Sequence, residues 1–192
     1  MQKDSILNII LVGVGLCIVC GAVISTVAVS LRDQQEQNVI FDQQSKIIDA
    51  ARLLEVYPSS QEALASIEEV VVNLNDGQPS GIPPQQYDLD SILRDPSQHT
   101  VLNGSEDIAM ISVRENLSKV YIEYRNNELK TLILPVRGYG LWGTLYGYLA
   151  LDSDLNTIVG LEFYKHKETP GLGGEVDKAW FQNNLQQLNM HY

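Results

Sequence analysis

The stretch from Lys119 to Lys165, KVYIEYRNNELKTLILPVRGYGLWGTLYGYLALDSDLNTIVGLEFYK, decides the fold. KVYIEY, LKTLILPV, TLYGYLALD and TIVGLEFYK are rich in Val, Ile, Leu and Tyr and bounded by turn residues, so each reads as a β-strand. The connections RNNE and DSDLN are too short for a crossover helix, so consecutive strands must pair antiparallel. IAMISVR, from Ile108, and VVVNLNDG, which ends in the turn residues Asn75, Asp76 and Gly77, read as further strands. Helical segments lie on either side in sequence. The expected class is α+β: an antiparallel sheet with flanking helices.

Upstream, RDQQEQNVIFDQQSKIIDAARLLEV places Ile40, Ile47, Ile48, Ala51 and Leu54 at near-helical spacing, which predicts a helix docked on the sheet. Pro58 stops it, Ser59 or Ser60 caps the next helix, and QEALASIEE continues as that short helix. Residues 78–98, with Pro79, Pro83, Pro84 and Pro96, read as a surface excursion.

Between Asp4 and Arg32 lie 27 consecutive uncharged residues. At about 1.5 Å per residue this helix spans roughly 40 Å, more than the roughly 30 Å of membrane hydrocarbon. A cleaved signal peptide is the rival reading, but its apolar core is shorter, and no clean small-x-small site follows Leu31. The expected organisation is an anchor over 1–32 and a folded domain over 33–192, with flanking charges too balanced to orient the span. The span holds no ionisable residue that could line an ion path. Cys17 and Cys20 both fall inside it, one turn apart with no further ligand, and read as packing residues.

Lys3 and Asp4 are the only charges ahead of Arg32, so essentially all of the net charge of −11 belongs to the domain. Such an acidic domain is a poor partner for nucleic acid. It is equally unsuited to lying on anionic lipid.

Eight of the 14 glycines fall between Gly138 and Gly174, six of them in two loops. GYGLWG satisfies G-x-G-x-x-G at Gly138, Gly140 and Gly143, but a strand follows it, and a dinucleotide fingerprint must open a helix. No dinucleotide site is therefore expected. The second loop lies in YKHKETPGLGGEV, with Pro170, Gly171, Gly173 and Gly174 beside Glu168. Open backbone lets N–H groups approach an anion, and Leu and Trp beside them suit a flat ring. A planar ring with a phosphate tail, the shape of flavin mononucleotide (FMN), would fit; tight turns at strand ends explain the same glycines. Thr144 and Thr169 border the loops and can donate hydrogen bonds. His99, His166 and His191 are scattered, and no catalytic set is visible. Glu162 and Glu168 read as a strand-surface charge and a loop anchor rather than an acid–base pair.

Over GYGLWGTLYGYLALDSDLNTIVGLEFYKHKETPGLGGEV the chain resembles the NqrC family, the third subunit of the bacterial Na⁺-translocating NADH:quinone reductase. The RnfG family of the related Rnf electron-transport complex shares E-T-P-G-L-G, but GLWGTLYG is closer to the quinone reductase. The resemblance implies an inner-membrane anchor and a periplasmic FMN-binding domain. It further implies one electron carrier among six subunits, acting between NADH and ubiquinone with Na⁺ export. It places the FMN contacts at Gly140, Leu141, Trp142 and Thr144 in the first loop, and at Glu168, Thr169, Gly171, Leu172 and Gly173 in the second.

The family joins FMN through its phosphate to the threonine of an S/D-G-A-T motif, which does not occur among Thr26, Thr100, Thr131, Thr144, Thr157 and Thr169. The expectation is a chain shortened at its C-terminus, without the covalent attachment threonine and of reduced stability. Its final helix, from about Glu175, would expose Trp180 and Leu185. The alternatives are an RnfG-type electron carrier and a structural or assembly protein of the complex that holds no cofactor.

Overall fold

The computed structural model describes residues 6–178 and 180–182. The chain divides into two compact units between Asp42 and Gln43. Helix α1 (Ile6–Ala50) runs through both. In the first unit the residues from Asn8 onward are exposed along an apolar helix long enough to cross a membrane. Two of its hydroxyls bond within the helix: Thr26 Oγ1 donates to the Ala22 carbonyl at 2.8 Å and Ser30 Oγ to that of Val27 at 2.9 Å. Such back-bonding removes the penalty of an unpaired hydroxyl in hydrocarbon. Cys17 and Cys20 are free and exposed on it.

The second unit is an α+β domain. Strands β1 (Ile67–Asn73), β4 (Leu117–Arg125), β5 (Glu128–Tyr139), β6 (Thr144–Asp152) and β7 (Ile158–Lys165) form one sheet in the order β1-β4-β5-β6-β7. Every neighbouring pair is antiparallel. The connections work as their residues dictate. Asn126 and Asn127 both take positive φ, 53° and 63°, which the twist of a two-residue hairpin demands. In the β6–β7 turn the Asp154 carboxylate accepts the N–H groups of Asn156 (2.9 Å) and Thr157 (2.8 Å).

One face of the sheet carries Tyr121, Ile133, Tyr148 and Ala150, and against it pack Ile47, Ile48, Ala50, Ala51 and Leu53. The docking is close: a Cβ built on Gly160 would lie 2.5 Å from the Ala50 carbonyl oxygen. Gly160→Ala is therefore expected to destabilise the domain by about 1–3 kcal/mol. Thermal melts against Gly104→Ala, whose added methyl meets open space, check this; equal melting temperatures would refute the docking argument.

Three segments depart from the sequence reading. Ile40 is exposed, and the docking face ends differently from its periodicity. Arg52 adopts a left-handed φ of 52°, which ends the helix and turns Leu53 inward while Leu54 faces solvent. Helix α2 (Ser60–Ala65), capped by Ser59 Oγ accepting from the Glu62 N–H at 3.3 Å, ends before IEE. Ser66 closes it through Oγ on the Ala63 carbonyl, and Ile67–Glu69 pair with Tyr121–Glu123, so sheet pairing overrides helix propensity there.

IAMISVR is mostly turn: Asp107 accepts the N–H groups of Ile111 (2.8 Å) and Ser112 (2.7 Å), holding Met110 and Ser112 at positive φ. Only β3 (Val113–Glu115) is strand, and it pairs with β2 (His99–Val101). The proline-rich excursion contains a helix, α3 (Leu89–Arg94), whose Asp88 cap accepts the Asp90 N–H at 3.1 Å and whose Ile92 is buried.

Glu123 is fully buried on the helix-covered face. It accepts hydrogen bonds from Tyr57 (2.8 Å), Thr131 (3.1 Å) and both Nε and Nη2 of Arg125 (2.6 and 3.3 Å). Burial alone would raise its pKa, but the donors from Arg125, Tyr57 and Thr131 outweigh burial and hold it below the usual carboxylate value. A depressed carboxylate contributes stability above its unfolded pKa of about 4.3, and that contribution is lost as pH falls through the folded value. Melting temperature should therefore fall more steeply below about pH 4 in the native chain than in Glu123→Gln. Parallel curves would count against this role.

Candidate functional site

The first glycine loop is the hairpin between β5 and β6. Gly140 N–H donates to the Gly143 carbonyl at 2.8 Å, closing the turn, and Tyr139 pairs with Thr144 beneath it. The second follows β7. There the Thr169 carbonyl accepts the N–H groups of both Leu172 and Gly174 at 3.1 Å, and Gly171 takes φ +77°. A 3₁₀ turn over Gly173–Asp177 closes it.

Glu168 joins the two loops. Its buried carboxyl accepts the Trp142 N–H at 3.1 Å through Oε1. A Cβ on Gly140 would collide with Oε1, and one on Gly173 would fall 2.5 Å from Oε2. At Gly173 a carboxylate occupies the space a side chain would fill, and at Gly140 that carboxylate and the Leu145 side chain fill it together. The open backbone receives an anion, and that anion belongs to the protein.

A second contact stiffens the base of this loop. Glu168 N–H donates to His166 Nδ1 at 3.2 Å, which leaves the proton on Nε2 to be donated to Asp177 Oδ2 at 2.7 Å. Nothing in the sequence marked Asp177, eleven residues from its partner; only the turn over 173–177 brings them together.

What the loops present outward is apolar. Leu141, Trp142 and Leu172 are 79%, 64% and 74% exposed, an unusual state for three large hydrophobic side chains on adjacent loops. The remaining expected residues stand around them. Thr144 is half-buried at the start of β6, while Thr169 and Gly171 are exposed.

Glu162 is not the surface charge its strand position implied. It is buried and pairs with Lys46 Nζ at 3.0 Å, because α1 covers that end of β7. The Lys46 ammonium is weakened by burial, but the Glu162 carboxylate more than compensates and holds its pKa above the ordinary lysine value. Among the described residues no group of three His, Cys, Asp or Glu could hold a metal ion.

Comparison with known proteins bears on these loops. The FMN-binding domain family matches residues 140–190. The NqrC protein of the Na(+)-translocating NADH-quinone reductase from Pseudomonas aeruginosa is 43% identical over 181 residues, covering 92% of this chain and 69% of that protein. Its counterpart from Vibrio vulnificus is 39% identical, covering 93% and 71%. Among solved structures, Shewanella oneidensis NqrC superposes with a TM-score of 0.69 at 26% identity, covering 78% of this chain and 70% of that one. The Parabacteroides distasonis counterpart gives 0.59 at 28% identity, covering 83% and 70%.

Proposed function

Because this chain belongs to the NqrC family of Na(+)-translocating NADH-quinone reductase subunits, we propose that it is the membrane-anchored, FMN-carrying member that passes electrons within such a complex. The observation that carries the reading is the pair of glycine loops joined by Glu168, where the FMN-binding family match begins at Gly140. We further place the domain on the periplasmic side of a bacterial inner membrane, with five other subunits as partners and Na⁺ export as the coupled work. The apolar helix and the relatives' names support an anchored component of a larger complex.

The residues present fit a flavin. Leu141, Trp142 and Leu172 offer an apolar surface for a planar ring, and covering them removes exposed hydrophobic area. Gly140, Gly171 and Gly173 keep the backbone open at its edge, Thr144 and Thr169 stand where hydroxyl donors are useful, and Glu168 holds the two loops in register. When bound, the flavin supplies the electron-carrying chemistry; this chain supplies position and exclusion of water.

The test is titration of the full chain in detergent with FMN, read by quenching of Trp142 fluorescence and of the flavin's own emission. Saturable binding that Trp142→Ala weakens about tenfold or more supports the reading, since ring stacking contributes about 1 kcal/mol beyond area. Absence of saturable binding would reject it in favour of a cofactor-free assembly role. No threonine here follows Gly-Ala, so after co-expression with a flavin transferase the denatured band is expected to be non-fluorescent. A fluorescent band would show that one of the six threonines accepts FMN.

A further inference from the structure

The loop that carries Gly171, Leu172 and Gly173 begins and ends on one imidazole. His166 Nδ1 accepts the Glu168 N–H at 3.2 Å where the chain enters the loop, and Nε2 meets Asp177 Oδ2 at 2.7 Å where the closing turn ends. The His166 side chain is only 17% exposed, and a Cβ built on Gly174 would lie 3.7 Å from its Cε1. The ring therefore sits against the loop whose two ends it ties. Glu168 carries the contact onward, since its Oε1 accepts the Trp142 N–H of the first loop at 3.1 Å.

This arrangement admits one protonation state. A backbone N–H can only donate, so Nδ1 must be without a proton and the ring is neutral, with its hydrogen on Nε2. Protonating the imidazole sets a second N–H against that of Glu168, and two donors cannot bond. The Asp177 contact survives the change and gains from it, because a carboxylate favours the charged ring. Acid therefore opens the entrance of the loop and keeps its exit closed. Histidine is the side chain that ordinarily changes charge between about pH 5 and 8. The titratable groups on the surrounding elements are Lys165, Lys167 and Glu168 on its own segment, Glu175, Asp177 and Lys178 on the turn, Glu162 on β7, and Lys46 and Asp49 on α1. Glu175 pairs with Lys178 at 2.9 Å and Glu162 with Lys46 at 3.0 Å, while Asp177 is the charge that meets the ring.

We propose that His166 is a pH-sensitive positioning residue for the flavin site: its neutral ring holds the second glycine loop in the shape that receives the flavin, and its protonation releases Glu168 and lowers flavin affinity. This role, which rests on the assignment of FMN to the two loops, runs through the Glu168 backbone and carboxyl. Movement at Glu168 disturbs Leu172 on one side and Trp142 on the other, so one proton acts on both halves of the apolar surface.

The experiment titrates FMN into the full chain in detergent from about pH 8 down to about pH 5.5, for the native protein, His166→Asn and Asp177→Asn. Asparagine at 166 offers a carbonyl oxygen close to where Nδ1 stands, so it accepts the Glu168 N–H and does not titrate. The FMN phosphate also changes charge in this range, equally for every chain, so the reading is the difference between chains. Native affinity is expected to fall about tenfold further than that of His166→Asn, the worth of one lost hydrogen bond. Asp177→Asn, which tests the role even if His166→Asn does not fold, should move the midpoint of the loss about one pH unit lower, because the charge that favours the imidazolium is gone. In the flavin-free chain the NMR shift of the Glu168 amide should follow the native midpoint and stay flat in His166→Asn.

Parallel losses of affinity in the native chain and His166→Asn would overturn the proposal and point to another acid, first of all Glu162, whose pKa burial pushes up. An Asp177→Asn midpoint at the native value, or a Glu168 amide indifferent to pH, would overturn it as well. Saturable binding at about pH 8 together with any of these results rejects the His166 role alone. Absence of saturable FMN binding at every pH rejects the flavin assignment, and the His166 role with it.

Discussion

Replacing Glu168 with alanine is expected to lower affinity for FMN by about tenfold or more while leaving most of the fold's stability in place. The carboxyl lies between the two loops, accepting from Trp142 in one and facing Gly173 in the other. Its loss frees the Trp142 N–H and leaves a void between Gly140 and Gly173. The loops then lose the contact that holds Leu141, Trp142 and Leu172 in one surface. Glu168→Gln keeps an oxygen of similar position and should retain most of the affinity.

Gly173→Ala should mimic Glu168→Ala, since the new methyl cannot coexist with the carboxyl where it stands. The double variant should cost less than the two losses added, because removing the carboxyl makes room for the methyl. Full additivity in this cycle would show that the two positions act independently and that Glu168 does not join the loops.

The largest stability loss is expected at Glu123. Glu123→Ala strips the shared acceptor from Tyr57, Thr131 and Arg125. Breaking a buried ion pair from one side costs about 3–5 kcal/mol. Here Arg125 is 39% exposed and can turn its guanidinium to water, so the lower end, about 3 kcal/mol, is expected. For a chain of this size that is roughly a 10 °C fall in melting temperature. A fall under about 2 °C would mean that the buried carboxylate's desolvation cost nearly equals the worth of its partners.

These two acids show what could be read from the sequence and what could not. Glu168 was recognisable as a loop anchor beside the glycines, because it adjoins them in the chain. Glu123 was not: in KVYIEYR it looks like an ordinary alternating strand charge, and its partner Tyr57 is 66 residues away. Glu162 misled for the same reason, since Lys46 is separated from it by 116 residues. Alternation along a strand says which residues share a face. It cannot say which face a helix will cover, and both carboxylates sit on the covered one.

The strand-and-turn pattern from Lys119 to Lys165, the glycine loops at their ends and the apolar span were all determined locally. Short connections permit only antiparallel neighbours, Asn-Asn and Asp-rich turns set the reversals, and 27 uncharged residues suffice for a membrane-length helix. Tertiary structure decided the rest. It ended the long helix at a left-handed Arg52, seated Ala50 on Gly160, drew IEE out of a helix into the sheet, and filled the space between two glycines with the protein's own carboxylate. The physical reason is common to all four. Each depends on what occupies the volume next to a residue, and that neighbour is supplied by a distant part of the chain.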